Sequence, residues 1–383
     1  MTSFKKYRSL IICGKKFSAT ELKELCFATL KRFKQAAWQR KFYHFISEWL
    51  DDSPCISAHT SGTTGTPKKV MIEKNKMLES AMLTLRHLNV QHNDKALLCL
   101  SCEHIAGKMM VVRAFAGGLN LIPIEPSSNP LKSISSSQID FAAFVPLQVM
   151  NILNNAKSAN QFRKIKNVLI GGASVSHELI RQLQPFPNNI YETYGMTETV
   201  SHVALRRLSD SSSGDKSANS KRRALNDYAY FKALKGVTFS RDARNCLIIH
   251  APHLSKNLIV TNDIVELKDK HRFKWLGRFD NAVNSGGVKL IPEILEEKIS
   301  SCINHDYFFA GKADKKLGEK LVLVIEGHAL HHDALSRLKA EIAKYLGKYE
   351  RPARIYFVRK FARTRHGKLN RRQTLSTLFS PQS

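Results

Sequence analysis

The sequence predicts an α/β protein with a large N-terminal α/β domain over residues 1–277, a connection over 278–281 and a small C-terminal α+β domain over 282–383. Three observations carry this. At 383 residues and 43% apolar content, the chain exceeds what one compact core usually holds, so two domains are expected. Up to about residue 200, short apolar runs alternate with segments of helical period, the pattern of strands interleaved with helices. From about residue 281 the pattern restarts on a smaller scale.

Taken in order, Lys69–Ile72 reads as a strand, and Leu78, Ala81, Met82, Leu85 and Leu88 recur at helical spacing behind it. Ala96–Leu100, Phe141–Val145 and Val168–Ile170 are continuous apolar runs, as strands covered on both faces require. The Ser-rich stretch from Leu208 to Ser220 has few apolar residues and is expected to be a surface loop. Cys246–His250 and Asp263–Leu267 read as strands of a further sheet. In the small domain Leu321–Ile325 is a strand. Leu335, Leu338, Ile342 and Leu346 make a helix face that ends at Gly347, and Ile355–Val358 is a second strand. His328, His331 and His332 lie in a polar turn before that helix, open to a metal reading or to none.

The formal charge is +28, from 60 Lys and Arg against 32 Asp and Glu. Residues 1–50 and 351–383 supply a net 17 of it. The excess implies either a solvated basic surface or an anionic partner: nucleic acid, a membrane surface, or a polyanionic substrate such as ATP or CoA. The seven cysteines have no framework spacing, which fits a reducing, cytoplasmic compartment. Cys99 and Cys102 form a C-x-x-C, but in an apolar run and without a second pair, so strand packing explains them better than zinc. The apolar stretch Leu10–Cys13 is too short for a signal peptide, and no run approaches a membrane span.

The chemistry concentrates in a few segments. Thr60-Ser-Gly-Thr-Thr-Gly-Thr-Pro-Lys68 sets glycines, hydroxyls and a lysine before a strand. Such a loop can wrap phosphate oxygens with backbone amides and hydroxyls, because glycine permits close approach. Its spacing is not that of a Walker loop, and no helix follows at once.

That phrase resembles the phosphate loop of the adenylate-forming superfamily, which includes the acyl-CoA synthetases, and the likeness continues down the chain in the superfamily's order. It implies that Thr60, Ser61, Gly62, Thr63, Thr64, Gly65 and Lys68 hold phosphate. His104, in His-Ile-Ala-Gly107, resembles the His-x-x-Gly segment beside the carboxylate pocket. Gly171, Gly172 and Ala173 look like the turn against adenine. Tyr191-Glu-Thr-Tyr-Gly-Met-Thr-Glu198 is similar to the Tyr-Gly-x-Thr-Glu signature. It nominates Glu192, Thr193, Tyr194 and Gly195 as nucleotide contacts, and Thr197 and Glu198 for phosphate and Mg²⁺, with Glu198 as the metal ligand. Thr261-Asn-Asp263 matches Thr-Gly-Asp except for its asparagine, and would place Asp263 on the ribose. Trp275 to Lys289 resembles the hinge region, with Arg278 on ribose or phosphate, Asp280 as the hinge and Gly286 and Gly287 beside a pantetheine channel. Arg363 to Arg371 is similar to the terminal Thr-x-x-Gly-Lys-x-x-Arg signature and nominates Lys368 as the catalytic lysine.

Within the superfamily, Asn-Ser-Gly-Gly-Val-Lys289 and Tyr-Gly-Met-Thr-Glu-Thr-Val-Ser-His202 are most similar to the o-succinylbenzoate:CoA ligases of menaquinone biosynthesis, in their compact bacterial form. The resemblance implies ATP, Mg²⁺ and CoA, an acid that is adenylated and then joined to CoA, and an acyl group beside His104, Ser201 and His202. It also implies that the C-terminal domain is a mobile lid. The segment before residue 60 is shorter than the N-terminal subdomain of typical relatives. Two other classes stay open: an adenylation enzyme that loads a carrier protein, and a basic nucleic-acid-binding protein. Against the second, the sequence has no zinc-finger spacing or aromatic RNA-binding motif. The excess charge is expected to give weak, sequence-indifferent contact with anionic surfaces such as a membrane.

Overall fold

The computed structural model describes residues 3–32, 36–59, 69–134, 138–210, 229–363 and 369–380. The chain forms two compact units, one of Met1–Phe239, Ile249–Ile259 and Asp269–Arg272, the other of Ser240–Ile248, Val260–Lys268 and Phe273–Ser383.

In the first unit the strands are β1 (Leu10–Ile12), β2 (Lys15–Phe17), β3 (Cys55–His59), β4 (Lys69–Glu73), β5 (Lys95–Leu98), β6 (Asn120–Pro123), β7 (Phe141–Phe144), β8 (Asn167–Ile170), β9 (Asn189–Gly195), β10 (His202–Arg207) and β11 (Phe231–Ala233). The helices are α1 (Ala19–Leu30), α2 (Ala37–Leu50), α3 (Lys74–His87), α4 (Ile105–Gly117), α5 (Pro146–Leu153), α6 (Ala156–Phe162) and α7 (His177–Leu183). The order β11-β10-β9-β8-β7-β5-β6-β1-β2 makes one sheet, and β3 pairs with β4 apart from it. From β1 to β9 the pairs β1–β6, β6–β5, β5–β7, β7–β8 and β8–β9 are parallel.

Parallel strands joined through helices are buried on both faces, and every residue of β7 and β8 is accordingly buried. Phe144, Phe162, Ile170, Leu183 and Ile190 share one core, in which the Phe162 ring meets Phe186 edge-on at 5.5 Å between centroids. Burying a side chain of that size contributes about 1.5–3 kcal/mol. Capping fixes α1: Ser18 Oγ accepts from the Glu21 amide, and Glu21 accepts from the Ser18 amide. Helix α4 ends where Gly118 turns left-handed at φ 62°.

The expected strands and the helix behind Lys69–Ile72 are thus present, with ends shifted by a few residues. The Ser-rich stretch differs at its start. Leu208 and Ser209 are buried, and the Ser209 hydroxyl donates to the Asn188 carbonyl and accepts from the Ile190 amide. They close the end of β10 against β9, and residues 211–220 of that stretch lie outside the described residues.

In the second unit the strands are β12 (Thr238–Arg241), β13 (Cys246–His250), β14 (Ile259–Asp269) and β15 (Arg272–Arg278), adjacent in that order, then β16 (Val283–Ser285), β17 (Val288–Leu290), β18 (Tyr307–Asp314), β19 (Gly318–Glu326) and β20 (Arg354–Val358). The helices are α8 (Pro292–Lys298), α9 (His332–Tyr345) and α10 (Arg371–Phe379). The last five strands form a sheet, antiparallel except for β19–β20. Alternation along β18 sends Phe309 into a core with Leu295, Ile299, Leu323 and Ile342, and Phe308 into another with Val324 and Phe361, so both faces of this sheet are covered.

Among the described residues no helix is long and apolar enough to cross a membrane. All seven cysteines are free, with Cys99 and Cys102 both buried. Among the described residues no cluster of His, Cys, Asp and Glu is arranged to hold a metal.

Candidate active site

The register of the parallel strands brings separate segments of the first unit to one edge. Leu97 is level with Ala142, Phe144 with Ile170, and Ile170 with Glu192. The segments leaving the carboxyl ends of β5, β8 and β9 therefore lie along the same edge of the sheet, where open α/β folds bind ligands. His104 opens α4 there as its N-cap residue. Gly171 and Gly172 turn directly after β8, with Gly172 at φ 85°. A side chain on Gly171 would strike Thr193 Oγ1. One on Gly195 would strike the Ser201 carbonyl and the His202 Cα. These glycines are set by close approach of β8, β9 and β10.

At the end of β9, Tyr194 packs its ring on Phe231 at 5.6 Å. Thr197–Thr199 form a single 3-10 turn. Glu198 on it is exposed, and its carboxylate has no partner among the described residues, as a hard cation such as Mg²⁺ would require of an oxygen ligand. The Glu192 side chain, expected among the nucleotide contacts, is instead buried inside the protein. It accepts from the Val175 amide at 3.0 Å and from Arg206 Nε at 2.9 Å, and so supports the turn from behind.

The sequence reading missed Arg113. It sits on α4 within Met109–Ala116, an otherwise apolar run, and only 3% of it is exposed. No carboxylate pairs with it among the described residues. Nη2 donates to Ser201 Oγ at 3.1 Å, Nη1 reaches Met110 Sδ at 3.7 Å, and Nε has no partner. Burial pulls its pKa down to about 10. A buried guanidinium without an anion is costly and calls for one. An arginine interrupting an apolar helix face was the available signal, nine positions after His104.

Beside it, His202 is buried with both ring nitrogens occupied, Nε2 at 3.0 Å from Thr84 Oγ1 and Nδ1 at 3.4 Å from Ser201 Oγ. Burial first, then the charges of Arg113 and His87, hold it well below the usual imidazole range. His202 therefore supports Ser201 and does not present a free nitrogen of its own.

The second unit gathers another cluster. Asp263 accepts from Trp275 Nε1 at 3.1 Å and from Arg278 Nη1 at 3.3 Å, while Arg278 Nη2 reaches Asp280 at 2.9 Å. Asn262, at the position where the motif has glycine, donates to Asp280 at 3.1 Å and accepts from Arg244 at 3.1 Å. Phe279 lies between two cations, with Arg244 at 5.0 Å and Lys289 at 4.1 Å from its ring. Gly286 and Gly287, at φ 58° and 83°, are the two central residues of the hairpin joining β16 to β17. A two-residue turn with both residues left-handed accounts for that pair by itself.

Arg371, the last residue of the terminal signature, grips Glu296 with both Nη atoms at 2.8 and 2.7 Å, and fastens α10 to the second unit. The phosphate-loop residues Thr60, Ser61, Gly62, Thr63, Thr64, Gly65 and Lys68, and also Lys368, lie outside the described residues.

The family model for AMP-binding enzymes matches residues 14–223. The chain belongs to that family. A probable 2-succinylbenzoate–CoA ligase of Mycobacterium tuberculosis is 25% identical over 348 residues, 85% of this chain and 85% of the relative. An acyl-CoA synthetase (AMP-forming)/AMP-acid ligase II-like protein from Dyadobacter fermentans is similar at 35% identity over 93% of this chain and 98% of that one, with a TM-score of 0.59. The fold is also that of o-succinylbenzoate CoA synthetase from Bacillus subtilis in complex with its acyl-adenylate intermediate, with a TM-score of 0.74 at 16% identity over 96% and 95% of the two chains.

Proposed function

We propose that the protein is an AMP-forming acid–CoA ligase whose acid is o-succinylbenzoate. Family membership supports the reaction class. The observation that carries the substrate is Arg113, a buried cation with no carboxylate partner among the described residues, hydrogen-bonded to Ser201. o-Succinylbenzoate has two carboxylates, one to be activated and one left over. The leftover anion is a fitting partner for Arg113, which a fatty acid would leave unmatched.

In the first half-reaction the succinyl carboxylate attacks the α-phosphorus of ATP and pyrophosphate leaves. The nucleophile is already ionised at neutral pH, so no general base is needed and charge neutralisation is the main task. Lys368, Lys68 and the hydroxyls of Thr60, Ser61, Thr63, Thr64 and Thr197 supply it. A magnesium ion bound by Glu198 would add positive charge against the phosphate oxygens. Gly171–Ala173 and Tyr194 take the adenine, Asp263 and Arg278 the ribose, and His104 lines the acyl pocket. In the second half-reaction the CoA thiol attacks the acyl-adenylate and AMP leaves. Residues 282–383 act as the lid, turning about Asp280 between the two steps.

The seven free cysteines support a cytoplasmic location, and the basic residues of 1–50 and 351–383 support weak contact with anionic membrane surfaces. The deciding experiment measures pyrophosphate release over a panel of carboxylic acids, with and without CoA. o-Succinylbenzoate should react fastest, with thioester formed only when CoA is present. Faster turnover of fatty or amino acids would refute the substrate, and acyl transfer to a carrier protein but not to CoA would refute the acceptor.

A further inference from the structure

Behind the Arg113 contact lies a chain of polar side chains that the family motifs do not include: Thr84 on α3, then His202 and Ser201 at the start of β10. Each of its atoms has one hydrogen-bonding role left. Thr84 Oγ1 has a single proton and donates it to the Ser80 carbonyl at 3.0 Å. Toward His202 Nε2, also 3.0 Å away, it can then only accept. The proton of the ring therefore sits on Nε2. His202 is held neutral by burial and by the neighbouring Arg113 and His87, which leaves Nδ1 bare. Ser201 Oγ, at 3.4 Å, donates to Nδ1, and its lone pair receives Arg113 Nη2 at 3.1 Å.

The backbone fixes the same serine independently. Val200 is β-branched and buried, yet stands at φ 65° and ψ −50°. Its neighbours close a three-residue turn, Ser201 N to Thr199 O at 2.6 Å, a strained form uncommon in proteins. Thr199 Oγ1 also bonds the Ser201 carbonyl at 2.6 Å. Strain of this kind persists only where the surroundings over-determine it. Here it aims one hydroxyl.

We propose that Thr84 and His202 are positioning residues for substrate selection. Through Ser201 they dock the Arg113 guanidinium and leave its Nε–H, which has no partner among the described residues, for the second carboxylate of a diacid. This rests on the diacid reading given above. It adds the two residues that make Arg113 selective.

The test has a spectroscopic and a kinetic arm. In the protein labelled with [15N]histidine, the His202 signal, assigned by its loss in His202→Gln, should show the proton on Nε2. Thr84→Val should raise KM for o-succinylbenzoate roughly five- to thirty-fold, the scale of one lost buried hydrogen bond, with kcat within about two-fold. Thr84→Ser should restore it, and KM for an aromatic monocarboxylic acid should stay unchanged in both variants. A proton on Nδ1 of the wild type would overturn the inference without need of any variant, and so would an unchanged diacid KM in a folded Thr84→Val enzyme. If the wild type turns over no aromatic keto diacid, the substrate reading fails and the selectivity inferred here falls with it. The tautomer measurement still decides the order of protons on its own.

Discussion

Replacing Arg113 with methionine should move stability and activity in opposite directions. The guanidinium is 3% exposed, no carboxylate pairs with it among the described residues, and burial lowers its pKa from 12.5 to about 10. At 1.36 kcal/mol per unit, keeping the charge inside costs the ligand-free protein about 3 kcal/mol at neutral pH. Methionine fills a similar volume, suits the neighbouring Met110, and removes that cost. What it gives up is the charge-assisted hydrogen bond from Nη2 to Ser201, worth about 1.5–3 kcal/mol, and the weak Nη1 contact with Met110 Sδ. The ligand-free variant should therefore be no less stable, gain up to about 1.5 kcal/mol, and melt as high or a few degrees higher.

With substrate the balance reverses. A carboxylate paired with a buried guanidinium loses about 2–5 kcal/mol when the partner is removed, so kcat/KM for o-succinylbenzoate should fall by about 30- to 5000-fold. Calorimetry of the ligand-free protein and pyrophosphate release supply the two readings. A variant that melts lower and keeps its activity would refute the reasoning, because Arg113 would then be a structural residue with a partner the geometry does not reveal.

Three further outcomes are expected. Lys368→Ala should slow adenylation by about 10²–10³, the range for electrostatic transition-state contacts. It should leave thioester formation from supplied acyl-adenylate nearly intact, whereas Asp280→Pro should do the reverse, and joint loss of both steps in either variant would remove the two-position mechanism. Glu296→Gln should destabilise the second unit by about 2–4 kcal/mol, since it breaks a largely buried pair with Arg371, and a melting point unchanged within a degree would contradict this. His202 has a folded pKa well below 6.5, so the unfolded chain binds the extra proton first. Its contribution to stability is complete above pH 6.5 and is lost as the pH falls below that value. His202→Gln should flatten the loss of stability between about pH 6.5 and 5, and an unchanged slope would exclude His202 as its source.

Much of the fold could be read from the sequence because its strands and helices announce themselves locally. Phe141–Phe144 and Val168–Ile170 are apolar throughout because parallel strands are covered on both faces, and a sequence window detects that without knowing the partner. The glycines of the motifs were legible for a related reason. Gly171 and Gly195 are excluded from carrying side chains by backbone and side chains across the sheet, and a glycine in a signature marks such a place whatever lies opposite.

What escaped is whatever depends on the residue opposite. Glu192 stands in a nucleotide-binding phrase, yet its carboxylate turns inward to Arg206 and the Val175 amide, 14 and 17 positions away. His202 is expected beside the acyl group, yet its ring stands against Thr84, 118 positions earlier. Arg113 is the sharpest case, because an arginine in an apolar helix can be a snorkelling surface residue, one half of an ion pair, or an unmatched charge. Only the absence of an acid around it among the described residues separates these, and that absence is a property of packing that no window of sequence contains. The proposed diacid substrate follows the same reasoning: a folded protein that spends free energy on a cation with no anion among the described residues gains from it only when a ligand brings the anion.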